Sequence, residues 1–260
     1  MDEIILIDKP PDLTSFGVVA RIRRHLTQTT GKKTKVGHAG TLDPFATGLL
    51  ILGVGKSTKK LTSFLKLDKT YLATLRLGYT STTGDPEGEI SIAPKNSAQN
   101  TKSFTSSKAT KSEVQSETAA GCGCGVPTPV SRPGTKRSPE DLGKILCSVL
   151  ATFVGEITQT PPIYSAIKIK GTPAYKLARK GQTPVIPPRK VTIHSIKIEN
   201  YNYPNLTLKI HCSSGTYIRT LAQDIGEKLG TGAYLTALRR TKIGDYDIKN
   251  AKTLEQYLNP

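Results

Sequence analysis

The chain has 260 residues, a net charge of +17 at neutral pH and an isoelectric point of about 9.7. That length suits one large or two small domains, and a hydrophobic content of 36% allows a packed core although Trp is absent. No apolar run is long enough to span a membrane, MDEIILIDKP lacks the basic start and apolar run of a signal peptide, and so much positive charge points to a polyanionic partner, nucleic acid first.

Ile4 to Ile7 reads as a short strand, stopped by the prolines of DKPPDLTSF. Thr14 or Ser15 can cap a helix from Phe16 to about Leu26, with Val18, Val19, Ile22 and Leu26 on its inner face. Arg21, Arg23, Arg24 and His25 fall mostly on the other face, as a solvated surface or an RNA contact. Next comes VGHAGTLDPFATGLLILGVGKST, residues 36–58, a Gly-rich turn followed by a buried strand around Leu49 to Leu52. Pro44 keeps Asp43 out of helix and on a rigid loop, where the acid either caps the turn or does chemistry. GVGKS is not a phosphate-binding loop: the required first glycine would fall on Leu50.

Lys69 to Gly78 alternates, with Tyr71, Ala73, Leu75 and Leu77 on one side, and predicts a sheet strand. TTGDPEGEI then turns around Asp85. Residues 95–138 are rich in Ser, Thr, Lys and Gly and are expected to be a disordered basic insert, its seven basic and two acidic residues carrying +5 of the charge. Cys122 and Cys124 within it form CxC rather than the CxxC pairs of a zinc site, and a metal there lacks partner ligands. With Cys147 and Cys212 they suit a reduced, cytoplasmic protein.

Ser138-Pro139-Glu140-Asp141 opens an amphipathic helix carried by Leu142, Ile145, Leu146, Val149, Leu150 and Phe153. Lys168, Lys170, Lys176, Arg179 and Lys180 in the following segment are candidate phosphate contacts. Two strands, Lys190 to Asn200 and Leu206 to Cys212, lead into a helix whose buried face is Ile218, Leu221, Ala222, Ile225 and Leu229, with Arg219 in its first turn near the sheet edge. Thr253 to Leu258 is a last short helix.

GHAGTLDPFATGLL closely resembles GHxGTLDPxATGxL, the second motif of the TruB family of tRNA pseudouridine synthases. Other segments resemble the family's motifs in the family's order. DKPPDLTS, which contains Lys9, resembles DKPxGxTS with Asp12 in place of the glycine; Asp tolerates the left-handed backbone that such a turn needs. KTY, TTGDPEGEI, YSAIKxxGxxAYxxAR and GTYIRTLxxDxGxxLG follow.

The resemblance implies an α/β (α+β) pseudouridine synthase fold, a central mixed β-sheet flanked by helices with the active-site cleft across the sheet. It implies one catalytic domain, 1–94 and 139–260, interrupted by the insert and without the C-terminal RNA-binding domain of the PUA type. The expected activity is isomerisation of uridine to pseudouridine at position 55 in the T arm of tRNA, by a cytoplasmic monomer that needs no cofactor, no metal and no protein partner. In this reading Asp43 is the catalytic carboxylate, as nucleophile or as base at the ribose, and Arg219 pairs with it. Tyr71 stacks on the flipped base, His38 borders the space the base leaves, and Tyr217 and Leu238 line the pocket. Lys9, Asp85 and Lys168 complete the substrate-binding set. The competing reading is a non-catalytic RNA-binding or RNA-folding module on the same fold.

Overall fold

A computed structural model describes residues 2–94, 139–165, 167–169 and 171–259. The insert with Cys122 and Cys124, the Ser138 cap and Lys170 lie outside the described residues. In chain order the elements are β1 (Ile4–Lys9), α1 (Ser15–Thr30), β2 (Val36–Ala39), β3 (Thr47–Val54), α2 (Leu61–Leu65), β4 (Lys69–Leu77), β5 (Tyr79–Ser81) and β6 (Ile90–Ile92). Then come α3 (Pro139–Ala151), β7 (Gly155–Gln159), β8 (Lys168–Ile169), β9 (Thr172–Pro173), α4 (Ala174–Ala178), β10 (Arg189–Asn202) and β11 (Asn205–Cys212). The chain closes with α5 (Ile218–Lys228), β12 (Ala233–Ile243), β13 (Tyr246–Asp247), β14 (Lys252–Thr253) and α6 (Leu254–Leu258).

One mixed sheet dominates, in the order β14-β1-β3-β12-β4-β11-β10-β7, with β13 added to β12 and β2 to β3. β1 with β14 and β12 with β3 pair in parallel; the other ladders are antiparallel. From Gly48 onward every residue of β3 is buried, as expected of a strand covered on both faces. α5 packs Ile218, Leu221, Ala222 and Ile225 onto β4, β11 and β12, joined by Leu146 and Leu150 of α3. α1 and α6 cover β1 and β3 through Val18, Val19, Ile22, Leu26 and Leu254.

Local chemistry accounts for the helix ends. Thr14 caps α1, its hydroxyl accepting from Gly17 N at 2.9 Å, and Gly31 ends it at φ 65°. The helix runs four residues past the expected Leu26 because no breaker precedes Gly31. Asp12 adopts φ 57°, the left-handed turn for which the sequence pattern has glycine.

Among the elements that depart from the sequence reading are β2, β7 and β12. His38 lies in a strand, β2, rather than in a turn. β7 and β12 had no strand assigned. β12 is the more consequential, since its eleven residues separate β3 from β4. Its alternation is interrupted by register shifts between Leu235 and Ala237 and between Arg240 and Lys242, and it carries Arg239 and Arg240 at its middle. Gly48 permits the contact of β3 with β12: a Cβ there would sit 2.3 Å from the Arg240 carbonyl oxygen, on a backbone at φ 106°.

Candidate active site

Two loops and one helix meet where β3, β4 and β12 lie side by side. The loop between β2 and β3 brings Asp43, and Ser15 ties it down by donating to Leu42 O at 3.2 Å and accepting from Leu42 N at 2.8 Å. Lys9 sits behind the same loop, fully buried. Its ammonium donates to Pro10 O (2.9 Å), Leu13 O (2.6 Å) and Pro44 O (2.9 Å), which satisfies all three of its hydrogens. Burial draws its pKa down to about 8. Lys9 therefore holds the Asp43 loop and spends its donors on backbone carbonyls, where the sequence reading expects a substrate contact.

Arg219 enters from the first turn of α5. Its Nε lies 3.1 Å from Asp43 Oδ2, an ion-pair contact without hydrogen-bond alignment, and Nη2 donates to Asp43 Oδ1 at 3.3 Å. Nη1 donates to Asp85 Oδ2 at 3.0 Å and Thr83 O at 3.3 Å, while Nη2 also donates to Tyr164 O at 2.9 Å. One guanidinium thus joins the Asp43 loop, the Asp85 turn and the segment after β7. Asp85 is buried and further fixed by Thr83 Oγ1 at 2.5 Å and Glu87 N at 3.0 Å. It braces Arg219 from behind. Asp43, with a third of its side chain exposed, faces the cleft. Desolvation pushes the Asp43 carboxyl above the ordinary value; Arg219 and Lys9 pull it back, and Asp85 adds to the rise.

Tyr71 on β4 is buried beside Arg240, its register partner on β12, and burial raises its phenol so that it is a neutral hydroxyl at working pH. Leu238 is paired with Ala73 in the same ladder and packs in one cluster with Tyr71 and Leu42. His38, opposite Leu52, has a buried Nδ1 without a hydrogen-bond partner, and burial with the Arg240 charge keeps the imidazole neutral. Tyr217 lies two residues before Arg219; its backbone N donates to Gln159 Oε1 at 3.1 Å, and the Arg189 guanidinium stands 4.7 Å from its ring.

Lys168 is exposed on the β8–β9 hairpin. It belongs to the segment whose Tyr164 carbonyl receives Arg219. Arg240 went unnoticed in the sequence because it stands among other basic residues. It is fully buried, donating to Leu49 O at 2.8 Å and Gly40 O at 3.0 Å, and so clamps β12 to the start of the Asp43 loop. A groove of about 560 Å³ lined by Arg23, Lys33, Thr34, Lys35 and Val36 shares no residue with this cleft.

Comparison with known proteins sets the class first. The chain superposes on a chain in the crystal structure of a Cbf5-Nop10-Gar1 complex with a TM-score of 0.61 at 24% identity, over 98% of this chain and 53% of that one. The two chains share a fold. The profile of the TruB family pseudouridylate synthase N-terminal domain matches residues 24–119 and 136–218, and that of the tRNA pseudouridylate synthase B C-terminal domain matches 219–259. The chain belongs to the TruB family. It is 40% identical over 256 residues to the tRNA pseudouridine synthase B of Cupriavidus pinatubonensis, covering 97% of this chain and 66% of that protein. It is 37% identical to the one of Phocaeicola vulgatus, covering 98% and 91%. The chain thus spans about two thirds of the length of the first of these relatives.

Proposed function

We propose that this protein isomerises uridine to pseudouridine in tRNA, at position 55 of the T arm, with Asp43 as the catalytic carboxylate. The observation that carries this is a carboxylate at a cleft, gripped by an arginine that a second, buried carboxylate braces. Binding RNA calls for no acid facing a polyanion; breaking a glycosidic bond does. In the reaction the N1–C1′ bond breaks, the uracil turns, and a C5–C1′ bond forms. C5 gives up a proton and N1 gains one, so substrate and product are isomers and no co-reactant enters.

Arg219 keeps Asp43 ionised against the pull of desolvation and fixes its direction, so the carboxylate is ready to attack C1′ or to take a proton from the ribose. Tyr71 supplies a flat, apolar surface for the extruded uracil with a hydroxyl at its tip. His38 and Leu238 border the same space. The exposed Lys168, Lys176, Arg179 and Lys180 offer phosphate contacts beside the cleft. Residues 1–94 and 139–260 form one catalytic unit in this reading, interrupted by the insert, and tRNA is its partner in the cytoplasm.

The test is an unmodified tRNA transcript labelled with tritium at uracil C5. The full chain is expected to release tritium from one site in the T loop. Asp43→Asn is expected to bind the transcript and release none. Binding by the unaltered chain without release would establish a non-catalytic RNA module instead.

A further inference from the structure

Behind the sheet, away from Tyr71, three metal-binding side chains converge. Asp68 immediately precedes β4, His194 lies on β10 and His211 on β11, and one ligand atom from each lies within 4.8 Å of the others. The Asp68 Oδ2 to His194 Nε2 distance is 3.1 Å, and the two imidazole centroids are 4.7 Å apart at 42°. We propose that Asp68, His194 and His211 form a surface site for a borderline divalent cation of the Zn²⁺ class, which would clip β10 and β11 to the start of β4.

The backbone brings these side chains together by construction. Ile210 and Cys212 face the buried core with Tyr71, so His211 between them projects from the opposite face. On β10, Ile193 pairs with Cys212 and Ser195 with His211; the register shift leaves His194 as the extra residue. A bulge of this kind re-aims a side chain, and here it turns His194 to the ring of its cross-strand neighbour. Cys212 pairs with Lys69, which sets Asp68 one residue beyond the ladder at the same corner, and Gly244 N donates to Asp68 O at 2.8 Å to pin it.

Two imidazoles and one carboxylate are the ligand types that zinc and its neighbours take, at about 2.0–2.2 Å from the metal. Ligand atoms around such an ion lie about 3–3.6 Å apart, so the two or three side chains need only small rotations to close on it. All three are surface side chains free to make that movement. Three protein ligands leave room for water on the outer side. The site lies on the other sheet face from the catalytic cleft and so has no part in the isomerisation, for which no metal was expected.

The experiment uses the full, chelator-stripped protein titrated with Zn²⁺ and with Co²⁺ by calorimetry, alongside thermal unfolding with and without the ion. A Cys122→Ser, Cys124→Ser variant removes the thiols of the insert as rival ligands. One saturable site is expected in both proteins, with the unfolding midpoint raised by the ion. His194→Ala, His211→Ala and Asp68→Asn are each expected to weaken binding at least about tenfold and to abolish the shift, while pseudouridine formation stays unchanged. Circular dichroism checks that each variant folds. Absence of saturable binding in the stripped protein, or binding that the three substitutions leave unchanged, overturns the site.

Discussion

Arg219 is the residue on which the site turns, because a single guanidinium meets two carboxylates and two carbonyls from separate segments. Lysine retains the charge but lacks the planar fork that reaches these acceptors together. Arg219→Lys is therefore expected to lower single-turnover rates by about two orders of magnitude or more with a small change in tRNA affinity; an unaltered rate would mean that the pair does not act. Asp43 gives a pH expectation. Its folded pKa is raised above the unfolded 3.8, so the stability it contributes is present below that value and lost as pH rises through the folded value. Asp43→Asn removes this cost while Asp85, Thr83 and Tyr164 still hold Arg219. At neutral pH its unfolding free energy is expected to stay within about 1 kcal/mol of the original, measured by urea denaturation, although turnover is lost. In the proposed reaction the ionised form works, so catalysis runs the other way: the rate is expected to fall on acidification through an apparent pKa above that of an ordinary carboxylate.

Lys9 argues the same distinction between holding and touching. Lys9→Met leaves three part-buried carbonyls without this donor, and is expected to cost roughly 2–4 kcal/mol and to displace Pro44 beside Asp43. Turnover should fall more than affinity, and the dependence of tRNA binding on salt should not change. A direct phosphate contact would instead reduce that salt slope by about 1.

At the scale of elements, β12 organises the molecule. It lies between β3 and β4, presents Leu238 and Arg240 to the cleft region, and holds β3 through the close approach at Gly48. Gly48→Ala would drive a methyl group into the Arg240 backbone at a positive φ, so a loss of about 3 kcal/mol or more is expected, read as a lowered urea midpoint. The two family profiles meet between Ile218 and Arg219, yet the strand of the second lies inside the sheet of the first. The fold therefore treats them as one unit, and a chain ending at Ile218 is expected to be insoluble.

For the whole molecule, the net charge of +17 is the feature from which the proposed RNA binding is argued first. The insert carries +5 of the +17, leaving +12 on the remainder. Deleting residues 97–136 is expected to leave the fold and the chemical step intact, because a stretch so rich in Ser, Thr, Lys and Gly has few large apolar side chains to give to a core. If the insert attracts phosphate, the deletion raises the dissociation constant for tRNA and flattens its dependence on salt. If both stay the same, it is a spacer.

The amino-acid sequence by itself determined the family, the Gly-rich loop that carries Asp43 and the helix faces. Motif spacing and the 3.6-residue period are local properties, and Asp43, Tyr71 and Arg219 lie in short patterns whose backbone demands can be read from Gly, Pro and β-branched neighbours. Tertiary structure decided the rest. Asp43 and Arg219 are 176 residues apart, and nothing local shows that Asp85 braces their pair. Lys9 and Arg240 look like two more cations of a basic protein until burial shows each spending its donors on backbone carbonyls. β12 escaped notice because register shifts break its alternation, and a strand covered on both sides takes its character from its neighbours. Long-range pairing alone turns an arginine-rich segment into the centre of a sheet.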